Sequence, residues 1–308
     1  MATDLEAHIG AHRRELLAHC YRMTGALSDA EDALQETFVR AWRGYGAFEG
    51  RSSVRAWLYR IATNACLDHL TDRRARVLPD QLRAAGTVDE PVAPDLDAPW
   101  LEPFPDAMIE DDPEMRPDAM YSRREATRLA FVVALQRLSP RQRAMLILRD
   151  VVALSAEEAA VALDVTVATA NSLLQRARET IEAPAHKKPA ADPARLRDLL
   201  ARYVRAWEGG DTGELIALLR TDAFTTMPPS TLWLTGRETI AAFMAKYVLP
   251  RGQFRLVPFA INDAPGFIVY CDGQFVSLTQ VETDGEFVAS FHSFMGIDPA
   301  RFGISPTL

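Results

Sequence analysis

Apolar positions recur at three-and-four spacing through the first 181 residues and turn to mixed helix and strand patterns after about residue 193. The stretch 53–76, SVRAWLYRIATNACLDHLTDRRAR, predicts a helix with Val54, Trp57, Leu58, Ile61, Ala62 and Ala65 as its buried stripe. Arg55, Arg60, Asn64, Asp68 and His69 fall between those positions, and Arg73, Arg74 and Arg76 run out behind them. Ahead of it, 5–25 predicts a helix stopped at Gly25. Ser28 and Glu31 have the spacing of a capping box for a helix whose Ala30, Ala33, Leu34, Thr37, Phe38, Ala41 and Trp42 face inward. Asp29, Asp32, Glu36 and Arg40 crowd its other face.

Helices follow over 121–138 and, behind Ser139-Pro140, over 141–150. Ser155 and Glu158 make a second capping box for a helix packing through Ala156, Ala159, Ala160 and Leu163. After Asp164-Val165, Thr166 caps a helix whose Val167, Ala170, Leu174, Ala177 and Ile181 point inward, which makes the pair a helix-turn-helix. Ala168, Thr169, Asn171, Ser172, Gln175 and Arg176 point outward, mostly hydrogen-bonding groups able to reach base edges or phosphates. Such pairs also pack in many folds that bind no DNA.

The remainder predicts a helix ending at Gly209-Gly210, a short helix over 211–219, a strand over 223–227, and a helix capped at Thr235-Glu238 running to 248. Four β-rich segments then cover 254–262, 266–271, 274–282 and 287–295, an α+β order.

Length adds that 308 residues call for two or three cores. No apolar run approaches a membrane span and the first residues carry acids and histidines without an apolar stretch, so a cytoplasmic protein with no membrane partner is expected. Cys20, Cys66 and Cys271 form no CxxC pair, and the histidines are scattered, so neither a disulfide framework nor a metal site is expected.

Charge changes the picture more. The net charge is −8, but residues 79–121 hold twelve acids against two arginines, whereas 51–76 hold six arginines against two acids. The acid- and proline-rich stretch 77–120 has the composition of a solvated linker, yet Trp100, Leu101 and Phe104 in WLEPFPD are docking-type residues. An apolar stripe beneath guanidinium, amide and aromatic groups suits a single nucleic-acid strand, against the plainer reading of a solvated basic face.

Residues 29–76, DAEDALQETFVRAWRGYGAFEGRSSVRAWLYRIATNACLDHLTDRRAR, resemble the core-binding and −10-reading domain of the sigma-70 family, in its extracytoplasmic-function subgroup. The series LSPRQRAMLIL…LSAEEAAVALDVTVATANSLLQRARE resembles the −35-reading domain of the same family, departing from it at Asp164, Asn171 and Leu173. The resemblance implies a sigma factor that binds the β and β′ subunits of core RNA polymerase and promoter DNA, as a −10 single strand and a −35 duplex. It implies polymerase contacts from Asp32, Gln35, Glu36 and Arg40, and −10 contacts from Arg51, Arg60, Asn64, Asp68, Arg73 and Arg74. It also implies −35 contacts from Thr169, Asn171, Ser172, Gln175 and Arg176.

The last third, with YVRAWEGGD, resembles the SnoaL-like cone fold, in which a curved sheet wraps a helix around a cavity. WLEPFPD and Asp298–Phe302 resemble two short motifs of sigma factors bearing that added domain. The expected architecture is multidomain: two all-α sigma domains at 1–76 and 121–183, a linker at 77–120, a second linker at 184–192, and an α+β SnoaL-like cone at 193–308.

Trp233, Asp263, Tyr270 and His292 are the polar and aromatic candidates for the cavity, but no acid–base pair emerges, and His292 reads as a satisfied structural histidine. No catalytic residue and no cofactor is expected. Instead the last domain, on a short tether, is expected to regulate the chain in cis, with Trp100, Leu101 and Phe104 as the intramolecular contacts. Two rivals remain: a helix-turn-helix regulator with a small-molecule-binding C-terminal domain, and an isomerase-type enzyme with a DNA-binding appendage.

Overall fold

The computed structural model describes residues 2–50, 52–109, 121–181 and 192–308. The chain divides into two compact units, one drawn from Met1–Arg76 and Leu101–Ala185, the other from Val77–Trp100 and His186–Leu308.

The first unit is helical. Helices α1 (Ala2–Thr24), α2 (Leu27–Gly44) and α3 (Val54–His69) pack on one another around Leu16, Tyr21, Met23, Leu27, Leu34 and Leu58. Gly25 stops α1 as expected: its φ of 78° suits glycine, and its N–H closes the last turn onto the Tyr21 carbonyl at 2.7 Å. Helices α4 (Leu129–Gln136) and α5 (Pro140–Leu146) lead through a wide turn into α6 (Ala156–Ala162) and α7 (Val167–Thr180).

The local start signals hold here. Ser139 with Gln142 and Ser155 with Glu158 form reciprocal capping boxes, and the Thr166 hydroxyl accepts the Thr169 N–H at 3.2 Å. Asp164 takes the left-handed turn conformation between α6 and α7, at φ 51°.

Four expectations are corrected. Ser28 is no cap: α2 begins at Leu27, and the Ser28 N–H and hydroxyl both donate to Glu102, at 3.0 and 2.9 Å. Helix α3 ends at His69 with Leu70 as its C-cap, and Asp72 turns left-handed beyond it at φ 61°, so Arg73, Arg74 and Arg76 lie outside the helix. The helix expected over 121–138 is confined to α4, behind a single tight turn at Glu125–Thr127. Trp42, read as inward, is 52% exposed.

Two buried arginines tie α1 to the second helical half. Arg22 donates to the carbonyls of Arg123 (2.7 Å) and Ala126 (3.3 Å). Arg143 donates to Leu135 (2.9 Å) and to Met23, in the last turn of α1, where the helix dipole favours a cation. Burial lowers both guanidinium pKa values to about 10, so both stay charged at neutral pH.

The second unit is α+β. Helix α8 (Pro193–Gly209) ends at Gly210 in the left-handed conformation, and Asp211 caps α9 (Thr212–Leu218). The sheet has the order β2-β1-β6-β5-β4-β3, from β1 (Leu219–Thr226), β2 (Trp233–Thr235), β3 (Phe254–Pro258), β4 (Gly266–Cys271), β5 (Gln274–Thr283) and β6 (Val288–Met295). Only the β1–β6 pair is parallel. Strand β2 was not foreseen, and α10 (Arg237–Phe243) starts from Gly236 at φ 88° without the expected side-chain cap.

The sheet curls over α8. Tyr203 stacks on Phe267 with ring centroids 5.9 Å apart, and Trp207 meets Phe254 edge-on at 5.6 Å. Each buried ring removes apolar surface worth roughly 1.5–3 kcal/mol. A cavity of about 420 Å³ remains between the sheet, Trp207 and α10.

Residues 77–100 belong to this unit rather than running free of it. Val77 pairs with Trp100 to close a loop. Inside the loop, the Gly86 N–H donates to the Trp233 carbonyl (2.9 Å) and the Trp233 indole N–H to the Arg83 carbonyl (2.8 Å). Asp89 accepts from Lys246 (2.6 Å) and Tyr247 (2.8 Å), and Pro94 bridges Ser230. No helix among the described residues is long and apolar enough to cross a membrane.

Candidate nucleic-acid interface

Helix α2 buries Ala30, Ala33, Leu34, Thr37 and Ala41, which leaves Asp32, Gln35 and Glu36 exposed in a row. Val39 and Trp42 continue that row and are exposed as well. The Trp42 indole thus stands half-exposed beside an acidic face, open to contact from outside the unit. Sequence reasoning missed it because Trp42 fits either side of a three-and-four pattern. Arg40 is bound between Glu36 and Asp68, at 2.7 Å from each, and those partners raise its pKa.

Helix α3 is buried on a broader front than its stripe foretells. Tyr59, Thr63 and Cys66 are buried, whereas Val54 and Ile61 are only partly so. Trp57 packs beneath Tyr45 and Phe48 from the preceding turn. Cys20 and Cys66, far apart in the chain, come together; the Cys20 contact and burial push the Cys66 thiol well above its usual range.

Arg60, Asn64 and Asp68 form an exposed i, i+4, i+8 ridge along α3. Arg74 is exposed beyond the helix, while Arg73 lies 3.2 Å from Asp29. Asp29 also holds Arg76 and His69; burial would raise its carboxyl pKa, but Arg76 and His69 hold it below the usual value. Arg55 does not face outward: it lies against the buried carboxylate of Glu15. Arg51 lies outside the described residues.

The α3 ridge opens on a depression of about 350 Å³ lined by Arg40, Arg60, Ile61 and Asn64 on one side and Val161, Ala162 and Asp164 on the other. Helix α3 packs directly on α6, so the expected −10 ridge stands against the turn of the helix-turn-helix.

On α7, Thr169, Asn171, Ser172, Gln175 and Arg176 are all exposed. The Thr169 hydroxyl is engaged with Thr166 (2.9 Å) and Gln175 donates to Glu179 (3.0 Å). Arg178 is fixed bidentately by buried Asp150 at 2.9 and 2.6 Å, which raises its pKa and holds α7 in place.

The docking-type residues of the acidic stretch divide between the units. Leu101 and Phe104 are buried in the helical unit, Phe104 against Tyr21 at 4.6 Å, and the Tyr21 hydroxyl donates to the Glu102 carbonyl. Trp100 belongs to the other unit, its indole N–H donating to the Asp95 carbonyl at 2.6 Å.

None of the four cavity candidates lines the cavity. His292 faces away from it; its ring contacts Thr226 at 2.8 Å, and burial lowers its pKa. Tyr270 donates to the Ser305 carbonyl, Trp233 to Arg83, and Asp263 sits in a turn at φ 52°.

Two family models match the chain: Sigma-70 region 2 over residues 8–76, and Sigma-70, region 4 over residues 128–181. The ECF RNA polymerase sigma factor SigG of Mycobacterium tuberculosis (strain ATCC 25618 / H37Rv) is 44% identical over 274 residues, 87% of this chain and 73% of that protein. SigJ of the same strain is 31% identical over 218 residues, 70% of this chain and 62% of that protein. The crystal structure of the Mycobacterium tuberculosis extracytoplasmic function sigma factor SigJ matches with a TM-score of 0.60 at 22% identity, covering 98% of this chain and 99% of that one. The fold is therefore shared from end to end.

Proposed function

This chain belongs to the ECF RNA polymerase sigma factors, and from that membership we propose how its residues divide the task of initiation. It binds core polymerase and directs promoter-specific transcription; a free-standing helix-turn-helix regulator would leave the matched residues 8–76 without a role. The exposed row Asp32, Gln35, Glu36, Val39 and Trp42 on α2 engages the polymerase β and β′ subunits, with Trp42 as its apolar anchor. Asn64 takes a flipped −10 base by its Watson–Crick edge while Arg60 and Arg74 neutralise phosphate, and Asp68 and Arg73 join once released from Arg40 and Asp29. Thr169, Asn171, Ser172, Gln175 and Arg176 on α7 meet the −35 duplex.

The observation that carries this reading is the α3 ridge of Arg60, Asn64 and Asp68, exposed on a helix whose other residues are buried or half-buried. A further consequence follows from packing. The −10 and −35 elements lie about 25 base pairs apart, ~85 Å at 3.4 Å per pair, whereas α3 and α6 touch. The helical unit therefore opens when holoenzyme forms on a promoter. The C-terminal domain acts on that step in cis through residues 77–100, which bond to it and continue directly into the buried Leu101 and Phe104.

Reconstituted transcription with core polymerase, followed by sequencing of the 5′ ends, tests the reading. Discrete starts that require this chain support it. Promoter binding by the isolated chain with no gain of initiation by polymerase would overturn it.

A further inference from the structure

The cavity of the second unit is a built site with a definite chemistry. Its walls are apolar, from Trp207, Phe243, Met244, Phe254, Phe291 and Met295. Its volume of about 420 Å³ lies in the range of small-molecule sites. One wall is different. Alternation along β1, β5 and β6 brings Thr225, Ser277, Thr279 and Ser293 to the cavity side, while Thr226, Gln280 and His292 turn away.

Three of these hydroxyls form a chain, Ser277 to Thr279 at 3.1 Å and Thr279 to Ser293 at 3.0 Å. The fourth, Thr225, is buried and its hydroxyl has no hydrogen-bond partner among the described residues. A buried hydroxyl left unmade is costly, and one that lines an apolar cavity is met by whatever fills the cavity. Among the described residues the ionisable lining groups are Asp89, Glu90, Tyr247 and Arg251; Asp89, Tyr247 and Arg251 are exposed, and Glu90 is paired with Arg83 at 2.8 Å. Nothing inside could compensate a buried charge.

The cavity's last wall comes from far away in the chain. Asp89, Glu90, Pro91 and Val92, from the loop closed by Val77 and Trp100, line it, and Asp89 is held there by Lys246 and Tyr247. Whatever enters the cavity touches this strap.

We propose that the cavity is a receptor site for a neutral, predominantly apolar small molecule carrying a hydrogen-bonding oxygen or nitrogen, bound under the strap of residues 89–92 with its polar atom on Thr225. The strap makes the ligand a direct partner of the segment that leads into the helical unit at Leu101. No histidine lies among the described residues that line the cavity, and its two carboxylates, Asp89 and Glu90, sit on the strap rather than on the hydroxyl wall.

The test uses the full chain and the neutral fluorophore N-phenyl-1-naphthylamine, whose emission rises in apolar surroundings. Saturable binding at one site per chain is expected, with slowed amide exchange over residues 86–95. Thr225→Val keeps the volume and removes the hydroxyl, and weakens the probe by about tenfold, the effect of one lost neutral hydrogen bond. Ser277→Phe fills the space and abolishes binding, with its fold checked by near-ultraviolet circular dichroism. Absence of saturable emission in the unsubstituted chain overturns the proposal. So does binding that survives Thr225→Val unchanged together with unchanged exchange over the strap.

Discussion

The carboxylate of Glu15 in α1 lies 3.0 Å from the guanidinium of Arg123, 108 residues further on, and both are largely buried. The same carboxylate accepts from Arg55 at 3.0 Å and from the Tyr59 hydroxyl at 3.0 Å, with His12 on its other side. One acid thus joins α1, α3 and the segment that leads into the second helical half. Removing one member of a buried ion network strands the others and costs about 3–5 kcal/mol where no compensation exists. Glu15→Gln should lower the stability of the helical unit by roughly that amount, measured by urea unfolding followed in the far ultraviolet. Arg123→Ala should cost less, because Arg55 still faces the carboxylate. Equal, negligible losses from both would mean that the network contributes nothing to holding the halves together.

In the helical unit acid should act first through His19. Its ring is buried, and because Thr63 already donates to the Tyr59 carbonyl, His19 Nε2–H is the donor to Thr63 at 3.0 Å. Burial, with Arg22 adding to it, lowers its pKa to about 3 from an ordinary 6.5. The folded state therefore holds the ring neutral while the unfolded state takes up a proton below pH 6.5. Its contribution is complete above that value and declines as pH falls toward 3, approaching about 1.4 kcal/mol per pH unit. Glu15 follows at lower pH. Burial would raise its pKa, but His12, Arg55 and Arg123 hold it at about 2, so its contribution fades between about 4.5 and 2. Protection factors of the α3 amides, which are exchange rates corrected for their intrinsic pH dependence, should fall between pH 6.5 and 5, and His19→Gln should flatten that dependence. A profile identical in the variant would assign the effect elsewhere.

How much of this was legible depended on distance along the chain. Ser139, Ser155, Thr166 and Asp164 act within a few residues of themselves, and their roles could be read directly. Ser28 had the same local grammar but is claimed by Glu102, 74 residues away, whose carboxylate is the stronger acceptor. Asp29 looked like a member of the acidic face and instead collects Arg73, Arg76 and His69. Composition spoke of a solvated stretch at 77–100, because acids and prolines say nothing about backbone groups pairing with Trp233 and Ser230. Buried Arg22 and Arg143 were invisible for a related reason: each satisfies carbonyls brought together only by the finished fold.

Asn64 and Trp42 should separate two functions of the first helical half. Asn64→Ala should cost about 1–3 kcal/mol at one −10 position and leave core binding intact. Trp42→Ala should weaken core binding by about 2 kcal/mol, as loss of an aromatic anchor does, without changing base preference. Base-selection sequencing and polymerase titration read the two effects. Asn64→Ala losses equal for all bases at every position would reduce Asn64 to a shaping residue of α3.

On α7, Arg176→Ala should weaken −35 duplex binding and reduce its salt slope by about one. Thr169→Ala and Ser172→Ala should alter sequence preference more than salt dependence, Thr169 less cleanly because its hydroxyl also meets Thr166. Binding titrations over a range of salt, on randomised −35 duplexes, distinguish the two patterns. Unchanged promoter output from all three would mean that α7 hardly reads the duplex.

The C-terminal domain can act on initiation only through groups that feel its presence, and residues 77–100 are such groups. Their bonds run to Trp233, Pro229, Ser230, Lys246 and Tyr247, all within the second unit. Cutting the chain after Ile181 removes every one of those partners while leaving the helical elements in place. The freed loop then gains conformational entropy and no longer fixes where the chain enters the helical unit at Leu101. Promoter-specific transcription should change by roughly fivefold, the equivalent of about 1 kcal/mol. The double substitution Asp89→Ala with Trp233→Ala keeps the domain and loosens the loop, because it deletes the acceptor for Lys246 and Tyr247 and the donor to Arg83. It should move output in the same direction by a smaller factor. If the truncated chain and the double variant both transcribe like the full chain at matched folded concentration, the C-terminal domain takes no part in initiation.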